Sequence, residues 1–193
     1  MPKNKWKTGI LPLFAVIALS ACSTNSETSE MPIDNAPEEH MNEESGHMNM
    51  DHSGSGEVPE NLKKAENPAF EVGSKAIIET GHMEGMEGAE AEIVGAFDTI
   101  AYAVSYTPET GGEPVKNHKW VIHEELEQPG DEPLQAGDEA TLAADHMEGM
   151  NGAAATIDSA EETTVYMINF TPTTGGDPVT NHKWVVENEL APK

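Results

Sequence analysis

Histidine and methionine side chains recur in groups along this 193-residue chain. The stretch His-Met-Glu-Gly-Met spans residues 82–86 and returns unchanged at residues 146–150, 64 positions later. A related run, His-Met-Asn-Met-Asp-His, covers residues 47–52. Imidazole accepts either oxidation state of copper, and the neutral thioether of methionine favours monovalent copper or silver over zinc, calcium or magnesium. The pattern therefore points to soft-metal chemistry, with Cu(I) favoured and Cu(II) also accommodated.

The candidate copper ligands fall into two regions. An early polar segment contributes His40, Met41, His47, Met48, Met50 and His52. The repeated loops and two later Asn-His pairs contribute His82, Met83, Met86, His118, His146, Met147, Met150 and His182. The loop glycines allow the backbone to wrap around an ion. The alternative is that the four loop methionines pack as flexible core residues, and that His118 and His182 satisfy buried backbone groups. The sequence leaves both interpretations open.

The first 21 residues have the composition of an export signal. Three lysines precede an apolar run over residues 10–19, which is too short to span a bilayer comfortably. Leu-Ser-Ala-Cys at residues 19–22 resembles the lipobox of a bacterial lipoprotein, with a plain secretory signal as the alternative. We therefore expect Cys22 to carry a lipid anchor, such as palmitate. The mature protein is expected at the extracellular face of the cytoplasmic membrane, or at the outer membrane if the host has one.

Charge and cysteine content exclude several functions. The formal net charge is −25, and removal of the three signal lysines leaves seven Lys against 35 acidic residues, a charge of −28. Such a surface repels phosphate backbones, which excludes nucleic acid as a partner. Cys22 is the single cysteine, and its expected lipidation leaves the mature body without a thiol, so disulfides, thiolate metal sites and cysteine catalysis are excluded as well. The sequence shows no pattern of an acid–base pair, and we expect no enzymatic activity.

The chain divides into a tether and two repeats. Residues 22–66 are polar and acidic with few β-branched or aromatic residues, which predicts a disordered tether. Residues 70–126 and 134–190 align without a gap, with 28 identities in 57 positions, and so form a tandem duplication. The predicted repeat domains span residues 67–128 and 129–193.

Each repeat is predicted to consist of short β-strands. In the first repeat, alternating or β-branched segments lie within residues 72–78, 89–94, 99–106 and 118–122. The loop at residues 82–86 is expected to be a turn. The predicted fold class is all-β, with two tandem small SH3-like partly open barrels after the disordered tether. Trp120 and Trp184 are the expected core anchors, and the two small units are expected to pack on each other.

The motifs also carry a resemblance. The duplicated Gly/Asp-His-Met-x-Gly-Met-x-Gly-Ala unit ends in Asn-His-Lys-Trp-Val and follows a lipobox and a His/Met-rich tether. This organisation resembles the YdhK family of bacterial lipoproteins, which includes the staphylococcal copper-resistance lipoprotein CopL. The resemblance implies an extracellular, membrane-associated protein that binds copper and lowers its toxicity beside a copper exporter. Copper would be its cargo and would not be required for folding.

A function of another class is the alternative. Small tandem β-barrels often bind glycans or peptides, and the strands that carry Tyr102, Tyr106, Tyr166 and Phe170 can supply an aromatic platform. In that case the chain is a cell-wall or protein interaction module with no metal role.

Overall fold

A computed structural model describes residues 53–193 of the chain. This part is all-β, as predicted, and contains eight strands and two 3₁₀ turns but no α-helix. The strands are β1 (Lys63–Lys64), β2 (Lys75–Ile78), β3 (Glu90–Tyr106), β4 (Val115–Ile122), β5 (Glu139–Thr141), β6 (Ala154–Phe170), β7 (Val179–Val186) and β8 (Leu190–Pro192). The 3₁₀ turns are His123–Glu125 and Glu187–Glu189. The predictions for the signal, for Cys22 and for the tether ligands between His40 and His52 lie outside the described residues.

The two longest strands form the centre of the sheet. β3 and β6 have 17 residues each and pair antiparallel from Ala91–Phe170 to Tyr106–Ala155. The prediction of two separate strands over residues 89–94 and 99–106 is wrong, because β3 runs through the intervening residues. Its register shifts between Ile93 and Gly95, where a bulge leaves Val94 without a partner on β6, and the pairing then continues.

Each end of this central pair curls into a partly open barrel that contains half of each repeat. At one end, β2 pairs with the start of β3, β7 pairs with the end of β6, and β8 closes on β2. At the other end, β4 and β5 flank the same pair, and a bridge between Leu126 and Leu142 takes the place of the β2–β8 pairing. The predicted domains 67–128 and 129–193 therefore follow the sequence repeats, whereas the barrels exchange halves between them.

The hydrophobic cores show the same exchange. In one barrel, Ile78 and Ile93 of the first repeat pack with Ile168 of the second. In the other barrel, Val104 of the first repeat packs with Ile157 of the second. A third cluster between them contains both tryptophans, and the Trp184 ring meets Phe97 edge-on at 5.7 Å between ring centres. Trp120 and Trp184 are 5% and 0% exposed, which confirms them as core anchors.

The folded part begins earlier than predicted. Composition places residues 53–66 in the disordered tether, but β1 pairs with β3, and Leu62 is buried in the central cluster. The Gly54 N–H donates to the Thr180 carbonyl at 2.9 Å, and Lys183 Nζ donates to the Glu57 carbonyl at 2.8 Å. The prediction is wrong here because backbone pairing and one apolar anchor hold a segment whose average composition is polar.

Each His-Met-Glu-Gly-Met loop lies against a turn of the other repeat. The Thr173 N–H donates to the Gly85 carbonyl at 2.8 Å, and the Glu109 N–H donates to the Gly149 carbonyl at 2.9 Å. Gly85 has φ of +77°, and a Cβ there would lie 2.6 Å from Thr174 Oγ1 and 2.8 Å from Pro172 Cβ. The residue must be glycine both for its left-handed backbone and for the close approach of the neighbouring turn.

Gly85→Ala is expected to destabilise the protein more than Gly88→Ala. Gly88 has a similar φ of +76°, but a Cβ at this position would have nothing within 4 Å. Both alanines carry the cost of a positive φ, about 1–2 kcal/mol, and overpacking at position 85 adds about 1–3 kcal/mol. Urea unfolding of the two variants measures the difference. Equal free energies of unfolding would contradict the close approach of the turn to Gly85.

Candidate functional site

The predicted ligands of the two repeats meet at one cleft. The cleft has a volume of about 940 Å³, and six of the eight predicted ligands in residues 53–193 line it. These six are His82, Met83, His118, His146, Met147 and His182. Because the barrels exchange halves, side chains that are far apart in sequence become neighbours. The rings of His118 and His146, for example, lie 6.2 Å apart between centres.

The two remaining predicted ligands lie elsewhere. Met86 and Met150 have no exposed surface, and each belongs to the core of one barrel. The backbone N–H of His82 also donates to the Met86 sulfur at 3.5 Å. For these two methionines the structure agrees with the packing alternative and not with a ligand in the cleft. Each loop thus has one methionine at the cleft and one in the core.

A buried carboxylate holds His82 in place. Glu189 ends the second 3₁₀ turn and is 3% exposed. Its Oε1 lies 2.8 Å from His82 Nε2, and its Oε2 accepts hydrogen bonds from Trp120 Nε1 at 2.9 Å and from the Val186 N–H at 3.2 Å. The carboxylate of the second repeat therefore joins a histidine and a tryptophan of the first.

The equivalent carboxylate of the first repeat does the same for the second. Glu125 is 5% exposed, and its Oε1 lies 2.9 Å from His146 Nε2. Its Oε2 accepts hydrogen bonds from Trp184 Nε1 at 2.9 Å and from the Ile122 N–H at 3.3 Å. Two copies of one carboxylate–histidine–tryptophan cluster therefore lie beneath the cleft.

Both carboxylates are stabilised in their charged form. Burial pushes the pKa of Glu125 upward, but the hydrogen bond and charge of His146, with the Trp184 and Ile122 donors, outweigh it and lower the pKa. The pKa of Glu189 is lowered for the same reasons, by His82, Trp120 and Val186 against the effect of burial. Ionised carboxylates are therefore the working form of both clusters at neutral pH.

The second nitrogen of each clustered histidine is buried without a hydrogen-bond partner among the described residues, 53–193. These atoms are Nδ1 of His82 and Nδ1 of His146. A buried polar atom without a partner is costly, and a bound ion would satisfy it. In the same residue range, no group of three or more His, Cys, Asp or Glu side chains is arranged to hold a metal ion.

The two cleft histidines that lie on strands, His118 and His182, each pack against an aromatic ring. His118 packs against Tyr106, and His182 packs against Phe170, at 6.1 and 5.8 Å between ring centres. Lys119 and Lys183 also line the cleft, and each ammonium lies over the ring of the tryptophan that follows it, at 4.8 and 5.8 Å.

Glu125 and Glu189 were not predicted from the sequence. With 35 acidic residues in the chain, two further glutamates carry no compositional signal. The signal that could have found them is the alignment of the repeats. Residues 123 and 124 change at the offset of 64, whereas glutamate is kept at positions 125 and 189.

His123, which Glu187 replaces in the second repeat, is partly buried. His123 Nδ1 lies 2.9 Å from the Tyr102 hydroxyl, and its Nε2 lies 3.0 Å from the Gly130 carbonyl. His123 lies outside the cleft lining and connects the buried tyrosine to the joint between the repeats.

Comparison with known proteins assigns the family. The profile described as "Protein of unknown function (DUF1541)" matches residues 72–123 and 136–187. The chain belongs to the DUF1541 family. It is 54% identical over 193 residues to "Uncharacterized protein YdhK" of Bacillus subtilis (strain 168), with 100% of this chain and 92% of that protein covered. The predicted resemblance to the YdhK family is confirmed.

Solved structures of DUF1541 proteins have the same fold. A crystal structure of ydhK from Bacillus subtilis at 2.00 Å resolution matches with a TM-score of 0.73 and 59% identity, covering 76% of this chain and 100% of that one. The solution NMR structure of the ydhK C-terminal domain from the same species matches with a TM-score of 0.62 and 60% identity, covering 64% and 94%. Within residues 53–193 of the present DUF1541 protein, no helix is long and apolar enough to cross a membrane.

The stabilising effect of Glu125 is expected to depend on pH. Its folded-state pKa is lowered, so its contribution is present above the ordinary glutamate value of about 4.3 and is lost as pH falls through the folded-state pKa. The difference in free energy of unfolding between the wild type and Glu125→Gln should therefore shrink as the pH falls below about 4.3. Urea unfolding of metal-free protein measures it.

Glu127→Gln is the matched control, because it removes one negative charge from an exposed side chain two residues away. A difference between the wild type and Glu125→Gln that stays constant over this pH range would contradict the lowered pKa of Glu125.

Proposed function

We propose that this DUF1541 protein is an extracellular, lipid-anchored copper-binding protein that sequesters copper and contributes to copper tolerance. The observation that carries the proposal is the convergence of four histidines and two methionines, drawn from both repeats, on one cleft. The second methionine of each loop is used in a core instead. The loops thus present to the cleft the side chains that suit a soft ion.

The ligand chemistry favours copper over harder cations. Imidazole and thioether groups suit Cu(I), whereas calcium and magnesium require several oxygen ligands. Metal–imidazole bonds are about 2 Å long, so two rings whose centres lie 6.2 Å apart, as His118 and His146 do, are close enough to share one ion. Met147 lies beside them on the cleft wall. His82, Met83 and His182 form the equivalent set from the opposite halves of the repeats.

The charge of the chain and its connectivity support capture of a cation. The predicted mature chain carries a formal charge of −28, which raises the local concentration of cations. Ser53 lines the cleft and directly follows His52, the last of the predicted tether ligands, in the sequence.

Sequestration requires no turnover, and we propose no enzymatic activity. The cargo would be copper ions, the membrane would be contacted through a lipid on Cys22, and a copper exporter is the expected protein partner. The ion is not proposed to be needed for folding, because three apolar clusters already hold the strands together.

The alternative of an aromatic binding platform loses its basis. Tyr102, Tyr106, Tyr166 and Phe170 are all between 0% and 4% exposed, because their side chains point into the barrel cores. The prediction that these strands present an aromatic surface is wrong, and a wall-binding role would need another surface.

Replacing the cleft methionines is expected to weaken Cu(I) binding, whereas replacing the core methionines is not. The test compares Met83→Leu/Met147→Leu with Met86→Leu/Met150→Leu, so that each pair changes the same residue type in the same two loops. Leucine keeps the volume but removes the sulfur. We expect the first pair to lower Cu(I) affinity at least about tenfold, because even an outer-shell partner is worth 10–100-fold in metal sites.

The tether must not bind copper in this experiment, so that only the cleft contributes to the measured affinity. The full chain is therefore prepared with His40, His47 and His52 changed to Asn and Met41, Met48 and Met50 changed to Leu. Competition with a coloured Cu(I) chelator measures the affinity of each variant. No copper retention by the tether-substituted parent would refute the cleft site, and no retention by the unsubstituted chain would refute the proposed function. Weaker binding by the core pair, with no effect of the cleft pair, would place the site elsewhere.

A further inference from the structure

We propose that Glu125 and Glu189 are positioning residues that set which nitrogen of His146 and His82 binds copper. Each carboxylate holds its histidine with the proton on Nε2, which leaves the lone pair of Nδ1 as the ligand. This inference rests on the proposed function and deepens it, because it assigns the binding atom and the residue that orients it.

The hydrogen-bond donors around Glu189 fix its role. Trp120 Nε1 and the Val186 N–H can only donate, and both reach Oε2 of Glu189. The other oxygen, Oε1, faces His82 Nε2 at 2.8 Å. An ionised carboxylate only accepts hydrogen bonds, so the His82 Nε2 must carry the proton. The Glu125 cluster gives the same result for His146, with Trp184 and the Ile122 N–H as the fixed donors.

The other nitrogen is left without a function in the protein alone. Nδ1 of His82 and Nδ1 of His146 are buried and have no hydrogen-bond partner within residues 53–193, although both rings line the cleft. Metal-binding histidines commonly donate their second ring N–H to a carboxylate, which fixes the tautomer and makes the ligand nitrogen more basic. The two clusters have this arrangement before any ion is present.

The carboxylates also position the second histidine of each set. Trp120 and His118 lie on β4, and Trp184 and His182 lie on β7, two residues apart in each strand. Glu189 thus holds both His82 and the strand that carries His118. Since His118 lies beside His146, which Glu125 holds, the two carboxylates orient all four cleft histidines through one connected set of contacts.

The first test reads the tautomer in the metal-free full chain, with no substitution in either cluster. ¹⁵N NMR of labelled imidazoles at about pH 8.5, above the ordinary histidine pKa of about 6.5, distinguishes a protonated from a lone-pair nitrogen. His123 serves as an internal reference. Its Nε2 faces the Gly130 carbonyl, which can only accept, so its proton must also lie on Nε2. We expect His82 and His146 to match His123. Signals showing a proton on Nδ1 of these two residues would overturn the proposal.

The second test changes the partner. In Glu125→Gln and Glu189→Gln, the amide oxygen can still accept from the tryptophan and the backbone, but the amide nitrogen then donates toward the histidine. The histidine is forced toward the tautomer with its proton on Nδ1. We expect its ¹⁵N signals to change accordingly and Cu(I) affinity to fall about 10–100-fold in the tether-substituted chain. Glu127→Gln, at an exposed position, should change neither.

The outcomes separate this inference from the proposed function. An altered tautomer with unchanged Cu(I) affinity would overturn the positioning role while leaving copper binding intact. Failure of the unsubstituted chain to retain copper would overturn the proposed function, and the role assigned to the carboxylates would fall with it, even if the tautomer were as expected. If a Gln variant does not fold, the wild-type spectra still decide the tautomer.

Discussion

The antiparallel pairing of β3 with β6 determines where every functional side chain lies. Each strand belongs to a different repeat, and their pairing runs from Ala91–Phe170 at one end to Tyr106–Ala155 at the other. A pair of strands this long has two ends, and each end combines the start of one repeat with the finish of the other. The loop that begins at His82 is therefore built over the second half of the second repeat, where Glu189 and His182 lie.

Exchange of halves explains why buried charge is tolerated beside the cores. An isolated buried carboxylate is unfavourable, and it becomes acceptable only when hydrogen-bond donors surround it. Glu125 has one donor from its own repeat and two from the other, namely Ile122, Trp184 and His146. The clusters therefore tie the shape of the cleft to the pairing of the strands.

The sequence was sufficient for the local features. Loop glycines, β-branched strand segments and the two tryptophans follow from residue preferences that act over a few positions, although the segments at residues 89–94 and 99–106 belong to one strand. Residue preferences did not predict which strand each segment pairs with. Because the repeats are nearly equivalent, Val104 can pair with a strand of either repeat and satisfy the same hydrophobic pattern. The sequence also does not distinguish Met83 from Met86. Only the packed fold shows that Met83 lines the cleft and that Met86 lies in a core.

Divergence between the repeats shows which contacts the fold must keep. The hydroxyl of Tyr102 lies 2.9 Å from His123 Nδ1, and the equivalent hydroxyl of Tyr166 donates to Glu187 at 3.0 Å. Histidine has been exchanged for glutamate, but an acceptor for the buried hydroxyl remains. Near the cleft the outcome differs. Tyr106 donates to the Met147 sulfur at 3.8 Å, whereas Phe170, its counterpart, has no hydroxyl to offer Met83. A thioether that already accepts a hydrogen bond is a weaker donor to an ion. The two halves of the cleft are therefore chemically unequal.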